Sequence, residues 1–159
     1  TKIGSKHFAQ AANLPNLITV NYRSAPQVVT DLIGGSLALA WSGLPGLVSQ
    51  GNGDNINFLA VATPKRVSLL PNVPTTNEAG LPGLEYQIWW ALFVKKGTSP
   101  AVVNDLSLAL KRAVEQPSVQ KAISSSGSEP LWAGPRDAAK LVQQDIERFD
   151  SLIKRFPLE

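Results

Sequence analysis

A short apolar run followed directly by a helix start, over residues 17–35, constrains the fold more than any other stretch. Residues 17–20 are apolar and mostly β-branched, which predicts a buried strand. Ser24 offers an N-cap with Gln27 at the capping-box spacing, and an apolar helical face leads to Gly34, where a left-handed C′ residue is expected. The helix N-terminus would offer free N–H groups to an anion, or it would simply face water in an ordinary β-α connection.

Similar units follow along the chain. Residues 36–41 and 57–63 predict two more buried strands, and residues 85–95 predict a longer strand that is apolar on both faces. A short helix and then a turn are expected over residues 45–55. Strands that alternate with helical segments are typical of βαβ units, so the pattern predicts an α/β fold with a mostly parallel sheet.

The N-terminal residues predict a helix whose preceding strand is missing. Ser5 is expected to cap this helix, which would end near residues 13–15. His7 falls in the first turn, either as a ligand contact or general base or as a half-exposed surface residue. The chain opens at Thr1 without a signal peptide, so we expect that a segment was removed or that the chain is a fragment.

Residues 64–86 are rich in proline and glycine and predict a rigid, shaped connector. Within it, Thr75 and Glu78 have the spacing of a capping box, which predicts a helix of one or two turns. Rigid prolines on both sides of this short helix distinguish the connector from a flexible linker.

Three amphipathic helices are expected beyond the connector. Ser99 and Pro100 begin the first, Val119 lies in a short second, and Pro135 begins the third. Their apolar faces require a sheet that the chain does not supply, so this part of the sequence resembles half of a domain. Uncovered apolar stripes also predict self-association of the chain.

Composition excludes several classes of protein. Hydrophobic residues make up 43% and charged residues 17% of the 159 residues, which is sufficient for a core, and the net charge is only +3. Lys and Arg are scattered without interleaved aromatic residues, so no nucleic-acid partner is expected. The absence of Cys excludes disulfides and thiolate metal sites, and the pattern predicts no metal and no cofactor.

Catalytic patterns are sparse, and we predict that the chain is not an enzyme. The one histidine limits a nucleophile–base pair to His7 with Ser5 or Ser24, and Asp31 could orient the ring. A hydrolase built on these residues remains an alternative hypothesis. A protein-interaction or sensor module is another.

A binding site is better supported by the pattern. Helix starts at Ser5 and Ser24, and a turn at residues 41–43, would meet at the carboxyl edge of a parallel sheet, where such folds bind ligands. Backbone N–H groups and bridging water at such an edge can hold a carboxylate with little side-chain charge. Trp41 would form an apolar wall of this site or belong to the core.

Several motifs resemble one family along nearly the whole chain. Residues 4–9 (GSKHFA) are similar to its Gly-Ser-x-x-His-Leu-Ala helix start, and residues 22–35 to its Tyr-Arg-Gly…Pro-Gln…Thr-Asp-Leu-Leu-Gly-Gly segment. Residues 59–83, from Leu-Ala-Val-Ala-Thr to Gly-Leu-Pro-Gly, resemble its most specific signature. The chain thus resembles the C-terminal half of the Bug receptors, the periplasmic solute-binding proteins of tripartite tricarboxylate transporters.

The resemblance implies a periplasmic-binding-protein-like "Venus flytrap" that closes on a small carboxylate and passes it to membrane components of the transporter. Residues 1–88 would form most of the second, α/β lobe. Residues 89–159 would form the crossing strand and C-terminal helices of an incomplete first lobe. The ligand-binding residues carried over by the resemblance are Ser5, Lys6, His7, Ser24, Ala25, Pro26, Gln27, Trp41 and Ser42.

The sequence departs from the family pattern at two places in this site. Ser24 stands where the family usually has Gly after Tyr-Arg, which implies a change in the tightness of the turn. Trp41 and Ser42 replace part of a Phe-Asp-Asn-like turn, which implies the loss of a polar contact and an altered choice of ligand.

Overall fold

The computed structural model describes residues 2–48 and 55–157. Within these ranges no helix is both long and apolar enough to cross a membrane. The described part contains helices in the order α1 Lys2–Ala11, α2 Ala25–Ile33, α3 Leu44–Val48, α4 Pro100–Val114, α5 Pro117–Ser125 and α6 Pro135–Arg155.

The C-terminal helices begin where the sequence predicts. The Ser99 side chain accepts a hydrogen bond from the Val102 backbone N–H at 3.4 Å, and Pro100 occupies the first helical position of α4. The third predicted helix, α6, begins at Pro135. After α5 the chain turns at Gly127, which has the left-handed φ of +79°.

Two local predictions at the first helices are wrong. Ser5 does not cap α1, which already includes Lys2; its hydroxyl donates back to the Lys2 carbonyl oxygen at 3.1 Å. Gly34 has an α-helical φ of −72°, and the left-handed residue is Gly35, at φ +76°. The two glycines are interchangeable in sequence, so local pattern cannot decide which one turns the chain.

The expected mostly parallel sheet is not formed among the described residues. Pairing there is confined to an isolated parallel bridge between Val61 and Thr75. Within the described ranges, the predicted strands at residues 17–20, 36–41 and 85–95 pair with no other strand. A strand's own sequence cannot supply the partner that a ladder of hydrogen bonds requires. Of the predicted turn over residues 51–55, all but Asn55 lies outside the described residues.

Two small buried clusters hold the first half of the chain together. Val29 of α2, Leu47 of α3 and Ile56 form one core, against which Leu32 and Phe58 pack. A second set of buried residues lies in and beside the proline-rich connector, and comprises Val61, Val67, Thr75, Thr76 and Leu84. The first cluster fixes α2 against α3, and with them one side of the candidate site.

The connector contains the capping box that its sequence predicts. The Thr75 backbone N–H donates to Glu78 Oε2 at 2.8 Å, and the Glu78 N–H donates to Thr75 Oγ1 at 3.1 Å. The box closes a single turn, with Ala79 N–H bonded to the Thr75 carbonyl at 2.9 Å. Arg66 donates from Nε to the same Glu78 carboxylate at 3.0 Å.

Replacing Glu78 by Gln is expected to loosen this turn and to remove its pH dependence. The Arg66 hydrogen bond, and then the Thr75 amide, lower the pKa of Glu78 below its ordinary value. The contribution of Glu78 to stability is therefore complete above about pH 4.5 and is lost as the pH falls through the lower pKa of the folded state. We expect exchange protection of the Thr76 amide to fall roughly threefold or more in Glu78→Gln at neutral pH.

The control is Asp105→Asn, an exposed carboxylate on α4 for which the described residues provide no ion-pair partner. Its exchange profile in the connector should match that of the parent chain. An unchanged acid response of Thr76 in Glu78→Gln would contradict the role given to the capping box.

Candidate ligand-binding site

The indole of Trp41 packs directly onto the first turns of α1. A Cβ built on Gly4 would lie 2.3 Å from Trp41 Nε1, so only glycine allows this approach. The indole is flanked by Phe8 and Tyr86, at centroid distances of 5.9 and 5.6 Å. In the described part of the chain, Trp41 Nε1 and the Ser42 hydroxyl have no hydrogen-bond acceptor, which leaves two donors for a ligand.

The other end of the same segment packs against the start of α2. A Cβ on Gly46 of α3 would lie 2.6 Å from the Cβ of Ala25, so the two helices also meet at a glycine. The turn at residues 41–43 leads into α3. It therefore lies between α1, which Trp41 contacts, and the N-terminus of α2.

The N-terminus of α2 is open. Ser24 has extended backbone angles, φ −146° and ψ 151°, and its side chain makes no capping bond, so the first N–H groups of the helix keep their hydrogen-bonding capacity. Because this φ suits any residue, the serine in place of the family's glycine causes no strain. Pro26 and Gln27 line an open groove of about 640 Å³ beside α2.

A hydrogen bond fixes the approach to α2. Tyr22 Oη donates to Asp31 Oδ2 at 2.6 Å, which joins the segment before the helix to the second turn of α2. The bond to Asp31 raises the pKa of Tyr22, so the phenol keeps its proton at neutral pH.

The three candidate residues on α1 each bond to another group of the protein. Ser5 is bonded to Lys2, and Lys6 Nζ donates to the Pro157 carbonyl oxygen at 2.8 Å. His7 Nδ1 lies 3.0 Å from Tyr86 Oη. The described residues thus divide the predicted site into an α1 group that braces the structure and a group at α2 and the 41–42 turn with free polar atoms.

His7 belongs to an aromatic cluster that joins α1 to the end of α6. Its ring packs 5.2 Å from Phe156, and Tyr86 contacts Phe149 edge-on at 6.4 Å. Burial, and then the guanidinium groups of Arg155 and Arg148, lower the pKa of His7. The neutral imidazole is therefore favoured at this junction.

The junction is expected to weaken in acid, because the pKa of His7 is lower in the folded chain than in the unfolded one. Its contribution to stability is complete above pH 6.5 and is lost as the pH falls through the folded-state pKa. Since His7 is the only histidine, its imidazole NMR signal reports this pKa directly. We expect titration below 6.5 and a pH-independent junction in His7→Gln; a midpoint at or above 6.5 would contradict the packing.

Sequence reasoning missed Gly4 and Tyr86 as parts of the site's framework. An isolated glycine inside a helical pattern is a signal of close packing, and Gly4 carries that signal. Tyr86 carries none, because its contact with His7 spans 79 positions of the chain.

The geometry does not favour the hydrolase hypothesis. Among the described residues, His7 bonds to Tyr86 and Ser5 bonds to the α1 backbone, so neither serine candidate is hydrogen-bonded to the imidazole. The same residues contain no cluster of three or more His, Cys, Asp or Glu side chains that could hold a metal ion.

Comparison with known proteins identifies the family to which the chain is similar. The profile of the TctC family, described as "Tripartite tricarboxylate transporter family receptor", matches residues 1–158. A protein of Agrobacterium vitis, "UPF0065 protein in the TAR-I ttuE-ttuC' intergenic region", is 34% identical over 84% of this chain and 40% of its own length. The chain therefore spans less than half the length of this relative.

Solved structures share the fold at about twice the length. R. palustris Rpa4515, solved with adipate, superposes with a TM-score of 0.80 and 26% identity, over 96% of this chain and 50% of that one. The periplasmic binding protein BugD gives 0.78 and 28%, over 99% and 53%. These likenesses confirm a periplasmic-binding-protein fold. With the family profile covering nearly every residue, the chain belongs to the Bug-type receptors of the tripartite tricarboxylate transporter family.

Proposed function

We propose that this chain forms one ligand-gripping side of a receptor that captures a small carboxylate. The observation that carries the proposal is the packing of Trp41 on Gly4 and of Gly46 on Ala25, which sets the 41–42 turn between two helix starts. Family membership supports it, and so does the relative Rpa4515, whose structure was solved with adipate. The hydrogen bond of His7 to Tyr86 also favours a receptor over an enzyme, because the imidazole is not bonded to a serine nucleophile.

The direct contacts are assigned to the group with free polar atoms. Ser24, Ala25, Pro26 and Gln27 present the open N-terminus of α2, whose N–H groups and dipole favour a negative charge. Trp41 and Ser42 add an indole N–H and a hydroxyl, and hydrogen bonds to a carboxylate are among the stronger ones. The α1 residues Ser5, Lys6 and His7 hold that helix in place through their internal partners.

Family membership also supports an assignment of the two lobes, the compartment and the transporter. Residues 1–88 serve as one lobe and residues 89–159 as the crossing segment and helices of the other. The junction between them is supported by Lys6 with Pro157, and by the Ser68 backbone N–H, which donates to Glu129 Oε1 at 2.9 Å. The receptor would work in the periplasm, where BugD is named as residing, and deliver its ligand to the membrane components of the transporter.

Ligand-induced stabilisation tests this function. Adipate would be titrated against the protein, with the uncharged diol 1,6-hexanediol as its matched control. A ligand that binds only the folded state stabilises it by about 2.7 kcal/mol at 100 times its Kd. We expect at least one carboxylate in a panel of aliphatic, aromatic and amino-acid carboxylates to raise the melting temperature in this way.

The hexanediol control separates recognition of the carboxylate from simple apolar contact. Equal effects of adipate and hexanediol would contradict recognition of the carboxylate. A panel without any stabilising member, measured on protein shown by exchange to be folded around Thr76 and Val29, would overturn the proposed function.

A further inference from the structure

Tyr86 links the imidazole of His7 to the indole of Trp41. Its hydroxyl lies 3.0 Å from His7 Nδ1, and its ring meets Trp41 edge-on at a centroid distance of 5.6 Å and an interplanar angle of 82°. Among the ring contacts of the described residues, Tyr86 alone joins the imidazole to the indole. Its backbone is held in place, because its N–H donates to the Ala62 carbonyl oxygen at 2.7 Å.

The remaining contacts of the Tyr86 ring come from α6. Phe149 meets it edge-on at 6.4 Å between centroids, and the guanidinium carbon of Arg148 lies 5.3 Å from its centroid. A guanidinium at this distance is attracted to the face of an aromatic ring. Tyr86 therefore packs against α6, His7 and Trp41 together, and a shift of its ring alters its contact with the indole.

The charged groups next to His7 are cationic. Those of α6 that repel its protonated form are Arg155 and Arg148, and its own helix carries Lys2 and Lys6. Among the described residues, no carboxylate forms an ion pair with the imidazole. A proton added to His7 therefore places a positive charge beside two guanidinium groups, one of which lies over the phenol ring.

The hydrogen bond between Tyr86 and His7 also depends on the charge of the imidazole. Burial raises the pKa of Tyr86, so the phenol keeps its proton and can donate it to Nδ1 of a neutral imidazole that is protonated at Nε2. The imidazolium carries a proton on both nitrogens and can only donate. The phenol must then turn its own proton away, and the described residues provide no second partner for that hydroxyl.

The indole of Trp41 depends on the Tyr86 ring for its orientation. Gly4 allows the indole to approach α1, and Phe8 and Tyr86 flank it. Edge-to-face aromatic pairs have a preferred geometry, so a displaced phenol ring changes the direction of the indole. The indole N–H is one of the two donors that the turn at residues 41–42 offers to a ligand.

We propose that Tyr86 is a positioning residue of the binding site, which couples the charge of His7 to the orientation of the Trp41 indole. Neutral His7 holds the phenol against the indole, whose N–H is then available to the ligand. Protonation of His7 withdraws this support and lowers the affinity for the carboxylate. The effect on affinity rests on the proposed function, whereas the coupling of the two rings needs no ligand.

The coupling is tested first by NMR on the ligand-free chain between about pH 5 and pH 8, above the ordinary pKa of carboxylates. We expect the indole N–H signal of Trp41 to move with the same midpoint as the imidazole signal of His7. The Trp41 signal should become independent of pH in His7→Gln, which does not titrate, and in Tyr86→Phe, which keeps the ring but lacks the hydroxyl. Exchange protection of the Thr76 amide shows that each variant is folded.

Two controls separate this coupling from a general response to acid. The indole of Trp132 donates to the Ser107 carbonyl oxygen at 3.2 Å, and its signal should not follow His7. Tyr22→Phe removes the other phenolic hydroxyl of the chain, and in that ligand-free variant the Trp41 signal should still follow His7.

Two results of the ligand-free titration would overturn the coupling. One is a Trp41 signal in the parent chain that does not move at the His7 midpoint. The other is a Trp41 signal that still follows His7 in Tyr86→Phe, which would assign the link to Phe8 and the α1 backbone.

The direction in which a ligand moves the His7 midpoint tests the effect on affinity. A bound anion would by itself raise the pKa of His7 by attraction, whereas a ligand that requires the supported indole favours neutral His7 and lowers that pKa. With saturating adipate, or the panel carboxylate that stabilises the chain most, we expect the midpoint to fall by about 0.5 pH unit. This fall corresponds to a roughly threefold difference in Kd between the two charge states, and it should be absent in Tyr86→Phe.

A midpoint that rises or stays constant while the ligand binds would overturn the link to affinity. Failure of the proposed function gives a different result, because no carboxylate of the panel would then cause saturable changes anywhere in the spectrum. In that case the ligand-free titration still decides whether Tyr86 couples the two rings.

Discussion

Replacing Gly4 by Ala is expected to weaken carboxylate binding by roughly tenfold or more. The new Cβ would lie 2.3 Å from Trp41 Nε1, so the indole must leave its position between Phe8 and Tyr86. A hydrogen bond to a charged group contributes about 1.5–3 kcal/mol, and each 1.4 kcal/mol corresponds to a factor of ten in Kd. Overpacking should also destabilise the contact of α1 with Trp41 by about 1–3 kcal/mol.

The matched control for this change is Gly134→Ala. That glycine also faces a tryptophan, but its Cβ would lie at an ordinary 3.4 Å from the Trp132 ring, and neither residue belongs to the candidate site. Calorimetric titration with adipate should show normal affinity for Gly134→Ala. Equal affinities of Gly4→Ala and the parent chain would contradict the position given to Trp41 in the site.

Replacing Leu84 by Ala is expected to cost about 2–5 kcal/mol, because this side chain is fully buried and its removal leaves a cavity. Leu84 ends the proline-rich connector, and its carbonyl accepts a hydrogen bond from Thr76 Oγ1 at 3.1 Å. The Thr76 amide bonds to the Val61 carbonyl at 2.9 Å. Exchange protection of the Val61 and Thr76 amides should therefore fall by at least about 30-fold.

The control is Leu92→Ala in the free chain. The same atoms are removed there from a side chain that is 73% exposed, so protection of the connector should change by less than about twofold. A Leu84→Ala chain with undiminished protection at Val61 and Thr76 would show that the connector is not organised around this leucine.

Features that depend on a few neighbouring residues were predictable from the sequence. The Thr75–Glu78 capping box, the Ser99 cap with Pro100, and the start of α6 at Pro135 each rest on contacts within one helical turn. The first turn of α1 was not predictable in this way. Ser5 has the composition of a cap, but its hydroxyl bonds to the Lys2 carbonyl within a helix that starts earlier.

Features that depend on distant residues were not predictable. The predicted strands need partners, and a strand's own sequence does not say whether a neighbour exists. The contact of Trp41 with Gly4 spans 37 positions, and that of His7 with Tyr86 spans 79. Because these contacts decide which candidate polar atoms stay free, the division of the site into a bracing group and a binding group required the structure.

Titration of isotopically labelled protein with adipate, followed by NMR, shows which residues contact the carboxylate. We expect saturable shifts of the Trp41 indole N–H and of the amides at Ser24, Gln27 and Ser42, and no such shifts with 1,6-hexanediol. Saturable shifts confined to other residues, or a complete absence of shifts, would contradict the proposed site.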